Sequence, residues 1–210
     1  LRRSLVSDNL ARFDGAFLLN NLNEVLLENV TISANRGSGA VLVDRRARLT
    51  LRNSTVTGNI GAVAMPTVGG IHDVHGFPGR TFISNTILAG NGPGFLADDC
   101  RAVISLDGGN ILGDSSRCHH QTLPSDQLDV DPGLGPLADN GGFTRTHLPG
   151  ANAIDQGVSD ACLTDDQRGR SRPQDGDGDD VPGCDIGAVE FGNPDGVFGG
   201  QAIVTHSAEK

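Results

Sequence analysis

Asn29-Val-Thr-Ile-Ser-Ala-Asn35 and Asn53-Ser-Thr-Val-Thr-Gly-Asn59 are two copies of one pattern, and that pattern decides the fold. Arg3-Ser-Leu-Val-Ser-Asp-Asn9 and Asn85-Thr-Ile-Leu-Ala-Gly-Asn91 align with them without gaps. Each copy closes on Asn and carries an apolar residue three places earlier, at Val6, Ile32, Val56 and Leu88. A second apolar column precedes the copies at Leu1, Leu27, Leu51 and Ile83. The closing asparagines are 26, 24 and 32 residues apart, a spacing typical of solenoid repeats.

Parity dictates how the chain runs. Leu27 and Ile32 are five positions apart, so along one flat strand they would face opposite ways. Both turn inward only if the chain bends between them, near Asn29, Asn53 and Asn85. A third apolar stretch follows at Val41-Leu-Val43, and three short strands separated by corners make one coil of a parallel β-helix. Asn suits a corner because it tolerates the left-handed backbone, and amides stacked in successive coils can bond along the axis. The leucine-rich L-x-x-L-x-L pattern is missing, and no segment sustains a helical period. The chain therefore reads as all-β, a right-handed single-stranded parallel β-helix. Its coils span 1–113, followed by an irregular Gly/Asp/Pro-rich cap over 114–191 and a tail or linker over 192–210.

Composition narrows the rest. Gly is frequent at 30 residues, Trp and Tyr are absent, and 8 Phe supply all the aromatics, so the core must stack small and β-branched side chains. A net charge of −10 argues against nucleic acid, whose phosphates need clustered cations. Arg45, Arg46 and Arg48 form the densest basic stretch and read as a solvated strand edge. No apolar run approaches the ~20 residues of a membrane span. The opening lacks Met and a signal peptide, which reads as a fragment or a processed product. Cys100, Cys118, Cys162 and Cys184 lack CxxC spacing, so disulfides in an oxidising compartment are expected rather than zinc. Sequence neighbours favour Cys100–Cys118 and Cys162–Cys184, with other pairings open.

Repetition fades after Asn91, with one more coil through Gly108-Gly-Asn-Ile-Leu-Gly113. A solenoid exposes unpaired backbone at its last rung, so a cap is expected there. In order come Asp131-Pro-Gly-Leu-Gly-Pro-Leu-Ala-Asp-Asn-Gly-Gly142, Thr146-His-Leu-Pro-Gly150, Ala153-Ile-Asp155, Asp166-Gln-Arg-Gly169, Arg172-Pro173 and Cys184-Asp-Ile-Gly-Ala-Val-Glu190. This set, over roughly 85–191, resembles the choice-of-anchor Q domain of bacterial parallel β-helix surface proteins. One departure is Gly150-Ala-Asn-Ala-Ile-Asp155, where the family reads Pro-Gly-Ser-Pro-Ala-Ile-Asp. The resemblance implies export and a place at the cell surface, and no reaction.

Three groups of residues are candidate sites. Asp175, Asp177, Asp179 and Asp180, with Asp185 nearby, could fold around calcium, which takes about six to eight oxygen ligands. An EF-hand is excluded because its sixth and twelfth positions fall on Asp180 and Ile186. A solvated acidic loop is the plainer reading, and calcium there would be structural. His72, Asp73 and His75 fall in an insertion at 65–79 that reads as a protruding loop and a candidate binding face, where two imidazoles and a carboxylate could bind a transition metal or supply an acid–base pair. His147 reads as a structural hydrogen bond in the cap.

The expected function is structural, an exported adhesin-like module without its own catalysis. Surface glycans or other cell-surface proteins are the expected partners. A carbohydrate-active module, lyase or glycan-binding, is the alternative, with Arg45, Arg46, Arg48 and Arg101 available to neutralise an acidic sugar. A filament or surface-layer subunit that self-associates through its ends is the third.

Overall fold

The computed structural model describes residues 1–11, 15–20, 23–44, 46–61, 68–92 and 99–192. Arg45, positions 65–67 of the insertion and the expected tail beyond Gly192 lie outside them. In chain order the strands are β1 (Arg2–Ser7), β2 (Phe17–Leu19), β3 (Glu24–Ser33), β4 (Arg36–Gly37), β5 (Val41–Val43), β6 (Arg48–Arg52), β7 (Thr55–Thr57) and β8 (Ile60–Gly61). There follow β9 (Ile71–Asp73), β10 (Thr81–Ser84), β11 (Ile87–Ala89), β12 (Cys100–Leu106), β13 (Ile111–Leu112), β14 (Cys118–Gln121) and β15 (Gln127–Leu128).

These strands pair in parallel around one axis, and the chain is a parallel β-helix. β3 carries the expected bend: positions 24–28 pair with β6 and positions 31–33 with β7. The first wall thus contains the start of β3, then β6, β10, the end of β12 and β14. The second contains β1, the end of β3, β7, β11, β13 and β15. The third contains β2, β5, β9 and the start of β12, and the short pair β4–β8 fills the remaining edge. Leu27, Leu51 and Ile83 fill the core with Ile32, Val56 and Leu88, as parity requires. Parallel pairing runs on past 113, through β14 and β15 to Leu128.

Each coil turns on single left-handed residues. Arg3, Asn29, Asn53, Asn85 and Gly109 occupy the first corner, and Asp8, Ala34, Gly58 and Gly90 the second, all with positive φ. The residue after the second corner is the ladder asparagine. Asn9, Asn35 and Asn59 each donate from Nδ2 to Oδ1 of the next at 2.8 Å. Their backbone N–H groups reach the same oxygens at 3.0 to 3.1 Å. Asn91 makes both bonds to Oδ1 of the buried Asp99, at 2.8 and 2.9 Å.

A second ladder follows the first corner. The N–H groups of Val30, Ser54, Thr86 and Asn110 donate in turn to Ser54 Oγ, Thr86 Oγ1, Asn110 Oδ1 and Asp126 Oδ1, at 3.1 to 3.4 Å. Both ladders pass donors toward the C-terminal end and stop on a carboxylate, which accepts and has nothing to donate.

The irregular C-terminal region is disulfide-bonded as expected, Cys162 to Cys184, and Cys100–Cys118 ties neighbouring rungs of β12 and β14. Its position differs from a cover over the last rung alone: it runs back along the flank of the helix. Here the first-corner asparagines act as clasps rather than as an amide ladder. Asn85 holds both backbone groups of Val158, at 2.8 and 2.9 Å. Asn53 Oδ1 accepts from Leu163 N–H at 3.3 Å, and Asn29 Nδ2 donates to Asp165 O at 2.7 Å. Asp165 then meets Arg2 at 2.7 Å on the first coil. Outward-facing Ile87, Ala89 and Ile111 pack with Ala153 and Ile186 in a second apolar cluster. Covering a wall hides apolar surface that an edge cap would leave in water.

Replacing Asn59 with Ala strands the buried donors of Asn35 and the carbonyl of Ile32. The change should cost about 3 kcal/mol or more, read from urea unfolding. Asn9→Ala, at the exposed start of the same ladder, should cost about 1 kcal/mol or less.

Candidate functional site

The motifs that carry the family resemblance converge in one buried ionic cluster. Arg172 Nη1 lies 2.8 Å from Glu190 Oε2, and neither side chain is exposed. The same guanidinium donates to the carbonyls of Asp185 and Gly187 at 2.9 and 2.7 Å. Arg168 Nε pairs with Asp166 Oδ2 at 2.8 Å and Nη2 donates to the carbonyl of Glu190. Asp166 Oδ1 accepts from the N–H groups of Arg168 and Arg170, and Glu190 Oε1 from that of Gln174. Buried ions are tolerated only when paired and hydrogen-bonded in this way. These groups fix loops to one another and present nothing to solvent.

Asp185 belongs to this cluster and not to a metal loop. Its Oδ1 accepts from Asp155 N–H at 2.8 Å and its Oδ2 from Phe191 N–H. Burial, reinforced by the neighbouring Glu190, pushes its carboxyl up to about 7. Burial also raises Glu190, against the pull of Arg172.

Of the expected calcium ligands, Asp175 and Asp177 come together, and the third member is Asp155, not Asp179, Asp180 or Asp185. One carboxylate oxygen from each of Asp155, Asp175 and Asp177 lies within 4.8 Å of the others. Asp155 comes from the Ala153-Ile-Asp155 motif, too far along the chain for local spacing to reveal it. Asp179 and Asp180 are exposed, and Asp179 Oδ1 is taken by Val181 N–H. The clustered carboxylates also organise the loop themselves: Asp155 accepts from Gly176, Asp177 and Gly183, and Asp175 from Gly178 and Asp180.

His72, Asp73 and His75 do not converge. His72 and Asp73 lie on β9, inside the third wall rather than in a loop. Strand alternation sends Asp73 inward, where it is buried, and His72 outward beside Leu42 and Arg101. His75 turns away to Asp44, at 2.9 Å. Asp73 Oδ1 caps the turn by accepting from His75 and Gly76 N–H.

His147 bridges the flank region to the helix. Nδ1–H donates to Gly135 O at 2.7 Å, leaving Nε2 to accept from Ser33 Oγ at 2.9 Å. A serine facing an oriented imidazole is the geometry of an activated nucleophile. Ser33 is only 3% exposed, however, so no carbonyl carbon can approach its oxygen, and the bond holds structure.

The outer face of the first wall is an accessible polar surface. Inward residues such as Leu49, Leu51, Ile83 and Ile104 are buried, leaving Arg48, Thr50, Arg52, Phe82 and Ser105 facing out. Two depressions cross it, of about 620 and 420 Å³, and Asp107 lines both. Burial raises the Asp107 carboxyl, against the pull of Arg52. Of the arginines weighed for an acidic sugar, Arg48 lies on this face, Arg46 in the preceding turn and Arg101 on the third wall. Arg80 and Phe82, unremarked in the sequence, join Arg48 here.

No family model, curated protein or solved structure matches the chain. Among the described residues, no helix is long and apolar enough to cross a membrane.

Asp185 holds its proton more tightly folded than unfolded, so its contribution is fully present below about pH 4. That contribution is lost as pH rises through about 7. The stability difference between the protein and Asp185→Ala should therefore shrink as pH goes from 5 to 8 in denaturant melts. A difference that grows over this range would contradict the assignment.

Proposed function

We propose that the chain is the C-terminal part of an exported parallel β-helix protein of the choice-of-anchor Q kind, a rigid structural or adhesin-like module without its own catalysis. The observation that carries this reading is the fate of the signature residues. Asp166, Arg168, Arg172, Asp185 and Glu190 are buried and, apart from the unpartnered Nε of Arg172, direct their hydrogen bonds to backbone and to one another. Such motifs build a clamp that fastens loops to the helix.

Rigidity follows from the same clamp. The flank region touches the first coil through Arg2–Asp165, the middle coils through Asn29 and Asn53, and a late coil through Asn85. Two disulfides support a place in an oxidising compartment outside the cytosol. A calcium ion, if the acidic loop takes one, belongs at Asp155, Asp175 and Asp177 and stiffens the loop beside the clamp. The first wall's outer face, bordered along one depression by the flank residues Val158 to Leu163, is the surface the module would display to glycans or to other surface proteins.

Incubation with neutral and acidic polysaccharides, with and without calcium, tests the reading. It expects no new reducing ends and no unsaturated sugars, while calcium raises the melting temperature. Product release from any polymer would overturn the non-catalytic assignment.

A further inference from the structure

Arg48 and Arg80 stand side by side on neighbouring rungs, because Arg80 precedes Thr81 and Arg48 precedes its partner Leu49. Like charges at such a distance, about 4.8 Å between strands, normally weaken a sheet. Among the described residues, no carboxylate lies within ion-pair distance of either guanidinium. Glu24 is Arg48's cross-strand neighbour without pairing to it. Each guanidinium instead lies over a ring: Arg48 Cζ is 4.3 Å from the centre of Phe82, and Arg80 Cζ is 5.1 Å from that of Phe77. Arg80 Nε is buried without a partner.

Stacking holds a guanidinium flat and leaves its N–H edges to a second acceptor. Two such groups together suit a planar anion such as a carboxylate, which takes parallel N–H bonds. Beside them the two depressions carry hydroxyl and amide groups, Thr50, Ser84, Ser105 and Gln121, together with the carboxylates of Asp107 and Asp160, so the anionic group belongs at the arginine pair and neutral sugar hydroxyls in the depressions. The strands of this wall from β6 to β12 are paired on both sides, so their backbone has no edge left for an extended peptide. The chain's overall negative charge does not forbid an acidic ligand, since charges beyond about 8 Å are screened at physiological ionic strength.

We infer that the outer face of the first wall binds an acidic polysaccharide, with a uronate carboxylate held between Arg48 and Arg80 and adjoining sugars laid along Thr50, Phe82, Ser105 and Gln121. Five rungs give the face a length of about 19 Å, enough for a run of sugars rather than one. The inference rests on the reading of the chain as a display module and names its partner.

Binding of polygalacturonate by the whole chain, followed by calorimetry or by retardation in polymer-containing native gels, tests it. Carboxyl-reduced polygalacturonate, which keeps the backbone and loses the charge, and poly-glutamate are the comparison probes. We expect binding to polygalacturonate alone, weakened by salt, and about tenfold weaker in Arg48→Gln, as for loss of one charge-assisted contact. Arg48→Gln/Arg80→Gln should abolish it, and Arg46→Gln in the exposed turn should leave it unchanged. Arg48 is exposed, so the single variant stays informative even if the double variant fails to fold. No binding, equal binding of the reduced polymer or of poly-glutamate, or binding indifferent to Arg48→Gln would each overturn the inference. Cleavage of the polymer with the arginine dependence intact would sink the non-catalytic reading and leave this one standing.

Discussion

At the two corners described above, the backbone N–H that follows each turn is buried from the second coil on and finds a side-chain acceptor further along the chain. That constraint organises the molecule. It selects a side-chain oxygen at the residue after each corner, which is why Asn recurs at 9, 35, 59 and 91 and why Ser54, Thr86 and Asn110 serve the other ladder. It also gives the ladders a direction, because every amide donates toward the C-terminal end. A directed chain of donors needs a terminal group that only accepts. Asp99 and Asp126 supply it, and the price at Asp99 is a buried carboxyl pushed up to about 6 by desolvation.

The first-corner asparagines, unlike the ladder ones, are themselves left-handed, and although Asn29, Asn53 and Asn85 follow one another on successive rungs their amides do not bond to each other. Their side chains point outward and hold the returning C-terminal segment. Coil and flank are therefore coupled at each rung. The flank in turn needs an interior of its own, and with few apolar residues available it builds one from paired ions around Arg172 and Glu190. Paired ions of this kind add modest net stability but demand one geometry, which suits a part whose task is to hold a shape.

Much of the coil architecture was legible because it is local. Parity between Leu27 and Ile32 requires the bend at Asn29, and the bend is there, with φ 53°. The cysteine neighbours also pair as their order suggests. The site was far less legible. Asp155 joins Asp175 and Asp177 through the fold of the flank, which no spacing rule encodes. His72 and Asp73 look like a cluster in one dimension, yet adjacent strand residues face opposite ways. Asp185 sits beside acidic residues in sequence and beside Arg172 in space. Arg48 and Arg80 are 32 residues apart and become neighbours only because the chain between them completes a coil and returns in register.

Native-state hydrogen exchange in rising denaturant tests the coupling of coil and flank most directly. If the clasps bind the two into one body, the ladder amides of Asn35, Asn59 and Asn91 should open together with those of Gly157, Gly187 and Glu190. A single shared opening free energy is the predicted result. Flank amides that exchange at much lower free energy than the ladder would show a helix that stands without its clamp, and would contradict the account.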